Sequence, residues 1–414
     1  MKRKILIEKA EGQIRTFLLE DGDIAEIHCA DADGDRTGTH RLGDIYIGKV
    51  KNIVPNIGAA FVEIENGISC YYDMKDVSQA LFTNKIGKKP LCIGDELVVQ
   101  ISKEAVKTKA PTVTGNISFT GRYAVLTHGN TRIGVSSKLP KSLRDDYKKK
   151  LREYQNDSFG IIVRTNAKDA SFQDVLDEIE TLRSEYQHIA AIAPTRTCFS
   201  CLKSAPPSYI SDLKNVYMEG MEEILIGDKE LYTRIHSYFD MEMPERSGLL
   251  RLYDDAGFPL GKLYSTETAL EKALREKAWL KTGGYLIIQP TEALTVIDVN
   301  SGKSIAGKGK NEEGILKINL EAAREAARQI RLRNLSGIII IDFINMDAEE
   351  NVECLMREFR TCLAKDPIQT TLVDITSLNL VEVTRKKVHK PLYEQVKKKT
   401  ADQSYIQNTS SDLS

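Results

Sequence analysis

Short apolar runs separated by turn residues dominate the first third of the chain. Residues 1–28 contain KILIEK, TFLLEDGD and IAEIHC, which predict a β-meander with Asp21-Gly22 as a hairpin turn. Between Gly43 and Gly121, runs of the same kind recur as IYIGKVKNIV, GAAFVEIE, SCYYDMKDV, DELVVQIS and APTVTGNIS. Five short antiparallel strands within about 75 residues are typical of a small barrel of the OB type.

The middle of the chain mixes strands and helices. Residues 122–205 contain the strand patterns YAVLTH, RIGVSS and FGIIVRT, followed by a helical pattern over ASFQDVLDEIETLRSEYQHIAAIA. Residues 206–280 predict further α/β elements that end in a helix over TETALEKALREKAWL.

Residues 281–390 have the most regular pattern. GYLIIQPTEALTVIDVN predicts a hairpin, or two strands. Apolar positions alternately four and three residues apart predict a helix over residues 312–334. GIIIIDFIN predicts a fully buried strand, and a helix over 348–364 and a strand over TTLVDITS follow. This βαβαβ order predicts a parallel sheet covered on both faces. Beyond about Lys397 the polar sequence predicts a disordered tail.

Two aspartates end strands of this last block, Asp298 in LTVID and Asp342 in GIIIID. In a βαβ unit both lie at the carboxyl edge of the sheet, where open α/β folds bind ligands. Two neighbouring carboxylates repel unless a cation lies between them or one is protonated, and oxygen ligands suit Mg²⁺. Asn300 lies on the same side of its strand and could bond a phosphate or a metal-bound water. The alternative, that each aspartate only caps the next segment, stays open.

A phosphate-binding pattern follows directly. Ser301-Gly302-Lys303-Ser304 looks like the end of a P-loop, but the first glycine of that motif would fall at Ile297, inside a strand. A nucleotide P-loop is therefore not expected. Lys303 is instead a candidate contact for a phosphate, as a positive charge beside the carboxylates.

Composition narrows the class of protein. Hydrophobic residues at 41% and charged residues at 28% are typical of soluble globular proteins. The chain has no apolar run near the roughly 18 residues of a membrane helix and no signal-peptide pattern at its start. Seven cysteines spread over the chain do not form a disulfide framework. We expect a cytoplasmic, multi-domain protein with reduced thiols and no membrane segment.

The charge balance excludes one mode of nucleic-acid binding. With 58 Lys plus Arg against 59 Asp plus Glu, the net charge of −1 does not support binding through overall positive charge. Contacts with a polyanion must therefore come from local patches. Residues 122–152 are rich in Lys and Arg, and Arg324, Arg328 and Arg331 are predicted to share one helix face beside the carboxylates.

Three motifs together resemble a known family. TEALTVIDVNSGK, NLEAAREAARQIRLRNLSGIIIIDFINM and LVEVTRKK resemble the catalytic core of the ribonuclease E/G family of bacterial endoribonucleases. The resemblance begins at IYIGKV, continues through GAAFVEIE and GIIVRT, and ends near Lys390. It implies a multi-domain α/β fold in which an RNase H-like domain is interrupted by an S1 (OB-fold) barrel and a 5′-sensor domain. A DNase I-like α/β catalytic domain follows.

The resemblance and the strand pattern together predict the domain boundaries. The RNase H-like domain is expected in two segments, 1–42 and 206–280. Between them lie the RNA-binding S1 domain at 43–121 and the 5′ sensor at 122–205. The catalytic domain is expected at 281–390 and the polar tail at 391–414.

The resemblance also implies a catalytic centre. Asp298 and Asp342 match the metal-binding aspartates of the family, and Asn300 matches its active-site asparagine. The implied chemistry is Mg²⁺-assisted hydrolysis of an RNA phosphodiester that leaves a 5′-phosphate and a 3′-hydroxyl.

For RNA binding, the stacking aromatics of the family match Phe61 and Tyr71, and Lys109 matches a basic contact. Packing of Phe61 in the barrel core is the alternative. Tyr72-Asp73 replaces the usual pair of an apolar residue and proline, which puts the shape of this surface in doubt.

For the 5′ end, Arg164 and Thr165 match the pair that grips a terminal monophosphate, and Gly121 and Val125 match positions that cradle the first nucleotide. A surface salt bridge is the alternative role for Arg164. Supporting arginines of some family members are replaced here by Ser137 and Ser377, which weakens the expectation of strong 5′-end sensing.

Zinc is not expected. Many relatives carry a C-P-x-C motif after the catalytic domain, through which two chains share one zinc ion, and the chain past Arg385 has no cysteine. Cys198–Cys201 is a CxxC without a second pair. A homo-oligomer held by protein contacts stays open.

The resemblance, together with the strand-end carboxylates, therefore implies a Mg²⁺-dependent endoribonuclease that cuts single-stranded, AU-rich RNA, favours 5′-monophosphorylated ends, and acts in rRNA and tRNA processing and mRNA decay. The alternative is a non-catalytic S1-type RNA-binding protein associated with translation. A DNA phosphodiesterase of the same fold is a third option. The intact Asp298, Asn300 and Asp342 favour the endoribonuclease.

Overall fold

The computed structural model describes residues 1–32, 40–65, 67–103, 110–216, 219–302 and 312–396. The chain divides into two compact units, unit 1 with Met1–Asp33 and Glu219–Ser414, and unit 2 with Gly34–Met218. Three sequence predictions lie outside the described residues: Lys109, Lys303 and the tail beyond residue 396.

The strands of the described residues, in chain order, are β1 (Arg3–Ala10), β2 (Gln13–Glu20), β3 (Asp23–Asp31), β4 (Ile45–Val54), β5 (Ala59–Glu65), β6 (Ile68–Asp73), β7 (Phe82–Asn84), β8 (Glu96–Lys103), β9 (Thr112–Thr114), β10 (Ser118–Thr120), β11 (Ala124–His128), β12 (Ile133–Val135), β13 (Phe159–Val163), β14 (Cys201–Lys203), β15 (Met221–Ile226), β16 (Leu250–Leu252), β17 (Lys277–Trp279), β18 (Tyr285–Pro290), β19 (Thr295–Asn300), β20 (Gly337–Asp342), β21 (Thr370–Ile375) and β22 (Leu380–Arg385).

The helices are α1 (Lys141–Leu151), α2 (Phe172–Ile192), α3 (Ser208–Asn215), α4 (Lys229–Glu242), α5 (Leu260–Leu263), α6 (Thr266–Leu274), α7 (Glu312–Leu332), α8 (Glu349–Leu363) and α9 (Leu392–Gln395). Within the described ranges, none of these helices combines the length and apolar character that crossing a membrane requires.

The first sheet of unit 1 confirms the predicted meander. Its strand order is β16-β15-β1-β2-β3, with β1, β2 and β3 joined by antiparallel hairpins. Asp21 and Gly22 both have positive φ, 49° and 94°, as a tight two-residue hairpin turn requires. The strand β1 also pairs in parallel with β15, so segments about 200 residues apart in the chain build one sheet.

The second sheet of unit 1 is mixed. The predicted hairpin over GYLIIQPTEALTVIDVN is confirmed, because β18 and β19 pair antiparallel. The predicted parallel sheet is confirmed for one pair of strands and is wrong for the others. Its order is β17-β18-β19-β20-β22-β21, and only β19 and β20 pair in parallel. A strand that the sequence analysis did not predict, β22, lies between β20 and β21 and is antiparallel to both. A tight turn ending at Asn379, whose φ is 62°, reverses the chain after β21 and forms this hairpin.

The same sheet is covered on one face only. Ile297 and Ile339 are buried in one apolar cluster with Ala323 of α7 and Phe359 of α8. The residues that alternate with them point the other way, and Ile338 is 51% exposed. The predictions of a fully buried GIIIID strand and of helices on both faces are therefore wrong, because α7 and α8 pack on the same side.

The helix predicted to reach Leu280 ends earlier. Helix α6 stops at Leu274, and Lys277–Trp279 form β17 instead, antiparallel to β18. Pairing with a neighbouring strand has overridden the local helical preference of this segment.

The barrel predicted in the first half of the chain is confirmed in unit 2. The strands β4-β5-β6-β9-β8 follow one another, and β8 pairs back to β4, which closes a barrel of five strands. The prediction that all five are antiparallel is wrong at one pair, because β6 and β9 are parallel. The closure is consistent with an OB or S1 fold. A Cβ atom on Gly48 would lie 2.4 Å from the Val62 side chain, so this position needs glycine for close packing.

A second sheet in unit 2 has the order β10-β11-β13-β12. Helix α2, predicted from its apolar spacing, packs on it and begins with a capping box formed by Ser171 and Asp174. Helix α1 was not predicted, because it is rich in lysine and aspartate and buries few side chains, such as Tyr147 and Leu151, so its apolar periodicity is weak.

The arginines predicted to line a basic helix face beside the carboxylates are instead paired with acids. Arg324 contacts Glu358 at 2.7 Å and Arg328 contacts Glu325 at 2.6 Å. The side chain of Arg331 is only 12% exposed and binds Glu20 at 2.8 Å and Glu26 at 2.6 Å, on β2 and β3. The prediction of a basic face was wrong, because each of these arginines is paired with an acid, and one of them, Arg331, connects α7 to the first sheet of unit 1.

The contact of Arg331 with Glu26 also changes the pKa of Glu26. Burial favours a higher pKa for Glu26, but the hydrogen bond with His28 and the charge of Arg331 outweigh it and lower the pKa to about 2 from an ordinary 4.5. A carboxyl with a lowered pKa stabilises the folded state above its unfolded pKa. That stabilisation is fully present above about pH 4.5 and is lost as the pH falls toward 2.

Replacing Arg331 by methionine should therefore lower the free energy of unfolding by about 3 kcal/mol at neutral pH, because two partly buried carboxylates lose their counter-charge. The difference from the wild type should shrink as the pH falls below 4.5. Urea unfolding of both proteins across this pH range measures the effect. Arg328→Met, one helical turn away on a side chain that is 43% exposed, is the control and should change stability little.

Candidate functional site

The two strand-end aspartates lie opposite each other in the second sheet of unit 1. The parallel register of β19 and β20 pairs Asp298 directly with Asp342, and neighbouring strands lie about 4.8 Å apart. Both side chains are exposed on the face of the sheet that the helices leave open. The prediction that a strand–helix–strand unit brings these two carboxylates together is confirmed in the geometry.

Asn300 lies beside this pair, two residues after Asp298 on the same side of the strand. Its Nδ2 donates a hydrogen bond of 2.7 Å to Oδ2 of Asp298. The amide therefore orients the carboxylate, and its own Oδ1 stays directed away from that bond as an acceptor. Such an arrangement suits contact with a ligand that reaches the open face.

The donor set fits a hard divalent cation held by few protein ligands. Two carboxylates and one amide supply only oxygen, and Mg²⁺ commonly takes one or two carboxylates together with water and substrate phosphate. Among the residues with described positions, no cluster of three or more His, Cys, Asp or Glu side chains could enclose a metal. Asp298 and Asp342 are therefore the residues of this sheet that could hold such a cation, with the remaining ligands supplied by water or substrate.

The barrel places the two predicted stacking aromatics together on its outer surface. Phe61 of β5 is paired with Tyr71 of β6, and their ring centroids are 6.5 Å apart at an interplanar angle of 89°. Ala60 and Val62, the neighbours of Phe61, are buried in the core, whereas both rings are half-buried. Phe61 is therefore not a core residue, which removes that alternative.

The unusual Tyr72-Asp73 pair has a structural explanation. Tyr72 is fully buried inside the barrel, where burial raises the pKa of its hydroxyl. The Asp73 carboxylate accepts a hydrogen bond of 3.0 Å from the amide of Lys75 and caps a short 3₁₀ helix. Neither side chain disturbs the outward face that carries Phe61 and Tyr71.

Three of the four predicted 5′-phosphate residues converge at one end of the second sheet of unit 2. Nη1 of Arg164 donates to the Gly121 carbonyl at 2.6 Å, and the hydroxyls of Thr165 and Ser136 are 2.9 Å apart. Val125 lies farther along β11, opposite Ile162. Burial lowers the pKa of Arg164, and the charge of Glu178 partly offsets that shift.

Glu178 of α2 was not predicted and organises this turn. Its carboxylate accepts hydrogen bonds from the backbone amides of Arg122, Tyr123 and Ala124 at 2.6, 2.6 and 2.8 Å. A Cβ atom on Gly121 would lie 2.4 Å from the same carboxylate, so glycine is required for this approach. An acid therefore holds the loop that was predicted to cradle the first nucleotide.

Comparison with known proteins gives the same family. A model of the Ribonuclease E/G family matches residues 118–388. Ribonuclease E of Synechocystis sp. is 33% identical over 86% of this chain and 54% of its own length. Ribonuclease E of Nostoc sp. is 31% identical over 95% of this chain and 57% of its own length. Ribonuclease G of Haemophilus influenzae is 30% identical over 94% of this chain and 80% of its own length.

This chain belongs to the ribonuclease E/G family. The family match contains Asp298, Asn300 and Asp342 as well as Arg164 and Thr165, and it begins after the barrel aromatics. The chain spans little more than half the length of the two ribonuclease E relatives.

A buried asparagine beside the catalytic candidates also escaped the sequence analysis. Nδ2 of Asn319 in α7 donates to the Ile344 carbonyl at 2.7 Å, and its Oδ1 accepts from the Ile344 amide at 3.1 Å. This pair of bonds fixes the chain just after Asp342. The only signal in the sequence was a polar residue in line with the buried apolar positions of the helix.

Glu178→Ala should lower the free energy of unfolding by about 2 kcal/mol, because three backbone N–H groups lose their acceptor. Hydrogen exchange should accelerate at residues 122–124 more than in β13. Glu180→Ala, on the same helix but exposed, is the control and should leave this exchange unchanged. Unchanged protection at residues 122–124 in Glu178→Ala would contradict the role given to this carboxylate.

Proposed function

We propose that this chain is a Mg²⁺-dependent endoribonuclease that hydrolyses phosphodiester bonds in single-stranded RNA and favours substrates with a 5′-monophosphate. The observation that carries the proposal is the register of Asp298 with Asp342 on the open face of the sheet, in a chain of the ribonuclease E/G family. Its substrates would be AU-rich segments in rRNA and tRNA precursors and in mRNA under decay.

The roles of the central residues follow from their chemistry. Asp298 and Asp342 would hold Mg²⁺, which when bound supplies Lewis-acid stabilisation of the charge that develops on the phosphate and acidifies the attacking water. Asn300 keeps the Asp298 carboxylate oriented through its hydrogen bond and would direct the scissile phosphate. Asn319 holds the segment after Asp342 in place, which limits movement of that carboxylate.

Substrate binding would begin on the barrel. Phe61 and Tyr71 offer adjacent half-exposed rings on which bases of a flexible strand can stack, and this contact depends little on base identity. A paired duplex hides its base faces, so the surface favours single strands. Lys109 and Lys303 are proposed from the sequence alone as further contacts to RNA phosphates.

The 5′ end would bind at the turn that Glu178 organises. The Arg164 guanidinium and the Thr165 hydroxyl would contact the terminal phosphate, and Gly121 and Val125 would border the first nucleotide. Ser137, whose side chain is exposed, supplies no positive charge there. The proposed preference for a 5′-monophosphate is therefore modest, since one arginine faces the phosphate alongside the acid Glu178.

Asp298→Asn and Asp342→Asn should each reduce kcat on the order of 100-fold or more, because either change removes charge that holds the cation. Cleavage of an AU-rich oligoribonucleotide with Mg²⁺ measures the rate, and chelation of Mg²⁺ should abolish it. RNA affinity should be retained in both variants.

Asp374→Asn is the matched control, because Asp374 is an exposed aspartate of the same sheet on its edge strand β21. It should cut at the wild-type rate. Equal cutting by Asp342→Asn and the wild type would refute the proposed centre. A wild-type protein that binds RNA tightly but never cuts it would favour the S1-type binding protein instead.

Arg164→Lys should lower the ratio of cleavage rates on 5′-phosphate and 5′-hydroxyl substrates toward one, because an ammonium cannot replace a planar guanidinium against a phosphate. Rates on the 5′-hydroxyl substrate should change little. Arg183→Lys, on the exposed side of α2, serves as the control. Equal rates on both substrates with the wild-type protein would reject the 5′-end site without affecting the catalytic centre.

A further inference from the structure

An aromatic cluster lies on the open face of the catalytic sheet. We name it the aromatic platform and define it as Lys277, Trp279 and Tyr285. The two ring centroids are 5.4 Å apart, and Nζ of Lys277 lies 4.0 Å from the centroid of Trp279 and 3.4 Å from that of Tyr285. The ammonium is thus within cation–π distance of both rings, which favours this arrangement of the three side chains.

Strand register places the platform beside the carboxylate pair. Tyr285 of β18 lies directly opposite Asn300 of β19, and Trp279 of β17 lies opposite Tyr285. Residues opposite each other in antiparallel strands point to the same face. Trp279 is thus two strand spacings, about 10 Å, from Asn300, a distance that one or two nucleotides of an extended strand can span.

The exposed indole of Trp279 is not explained by a contribution to the stability of the fold. Trp279 is 64% exposed, although an indole stabilises a fold chiefly when it is buried. Its neighbour Ala278 fills the core position of the strand, so the fold does not depend on the indole. A large exposed aromatic on a rigid strand, oriented by a cation, has the chemistry of a surface that receives a flat ligand and a negative charge.

We propose that Trp279 and Tyr285 form a stacking subsite for a nucleobase of single-stranded RNA, one or two nucleotides from the bond that is cut, with Lys277 near the adjacent phosphate. That the occupant is an RNA base rests on the proposed function. The position of the subsite follows from the strand register of the sheet. Because every base offers a π-face, the subsite would hold the strand without reading its sequence.

Fluorescence can test the subsite directly, because Trp279 is the only tryptophan in the chain. The full chain carrying Asp342→Asn is titrated with an AU-rich oligoribonucleotide in the presence of Mg²⁺. Stacking of a base on the indole should quench the emission in a saturable way, with the midpoint of binding measured by anisotropy. Oligonucleotides with one abasic residue should lose the quenching at one position only, within two nucleotides of the cleavage site.

Steady-state kinetics on the otherwise wild-type chain give an independent readout. Trp279→Ala should raise KM on the order of 10-fold, as expected for one lost stacking contact, and change kcat less than about twofold. Trp279→Phe should restore most of the affinity. Met241→Ala, which removes another large exposed apolar side chain, 76% exposed on α4, is the control and should leave KM unchanged.

The outcomes separate this inference from the proposed function. RNA that binds without any change in tryptophan emission overturns the subsite even if the protein cuts RNA, and leaves the platform as a surface for a protein partner. Quenching that is lost at one abasic position supports base stacking on Trp279 even if the wild-type protein does not cut, and in that case the proposed distance from a cleaved bond is overturned. Absence of RNA binding overturns both.

Discussion

The parallel pairing of β19 with β20 is the constraint on which the candidate site depends. In this register Ile297 lies opposite Ile341, and both are buried. A slip of one residue in either strand would move its aspartate into the apolar layer and expose isoleucines, which is far less favourable than the observed pairing. The burial of aliphatic side chains on one face therefore holds two like charges next to each other on the opposite face. Electrostatic repulsion alone would separate them.

The remaining contacts of α7 support the same pairing. The helix follows β19 in the chain and leads into β20, and its small residues Ala322, Ala323 and Ala326 let it lie close to the sheet. Asn319 fixes the chain after β20, while Arg331 ties the far end of the helix to the first sheet of unit 1. One helix thus connects the register of the sheet that carries Asp298 and Asp342 to the rest of the unit. Changes that loosen either end would reach the carboxylates through the backbone.

Local patterns predicted much of this fold, and long-range pairing explains the failures. The meander, the barrel strands and the helices α2, α7 and α8 follow from spacing within single segments, which the sequence displays directly. The continuous apolar run GIIIID predicts a strand that is buried on both faces. The face on which the helices pack is instead set by the connections between strands, which the run itself does not show. The LVEVTR segment alternates buried Val381 and Val383 with polar residues, which is a strand pattern. The sequence analysis used this segment only as a family motif and did not predict the strand. Charge spacing on α7 likewise gave no hint that Glu20 and Glu26, about 300 positions away, pair with Arg331.

Helices cover only one face of the sheet that carries the candidate site, and this explains why the site and the aromatic platform share a surface. Alternation along a strand gives each buried residue an exposed neighbour, so a sheet with helices on one side must present a second, solvent-facing set. In this sheet the solvent-facing side chains include two carboxylates on the central strands and, toward the β17 edge, a lysine that contacts two aromatic rings. The sequence analysis placed Lys277–Trp279 at the end of a helix. In a helix the indole would not lie on a defined face of the sheet, so its position on the same face as the carboxylates could not be predicted. Once the segment is a strand, the position of Trp279 follows from register alone, and the same rule that exposes Asp298 exposes the ring. A surface that combines carboxylate oxygens, a lysine and aromatic faces has groups suited to both parts of a nucleotide: a phosphate, through a cation, and a base, through stacking.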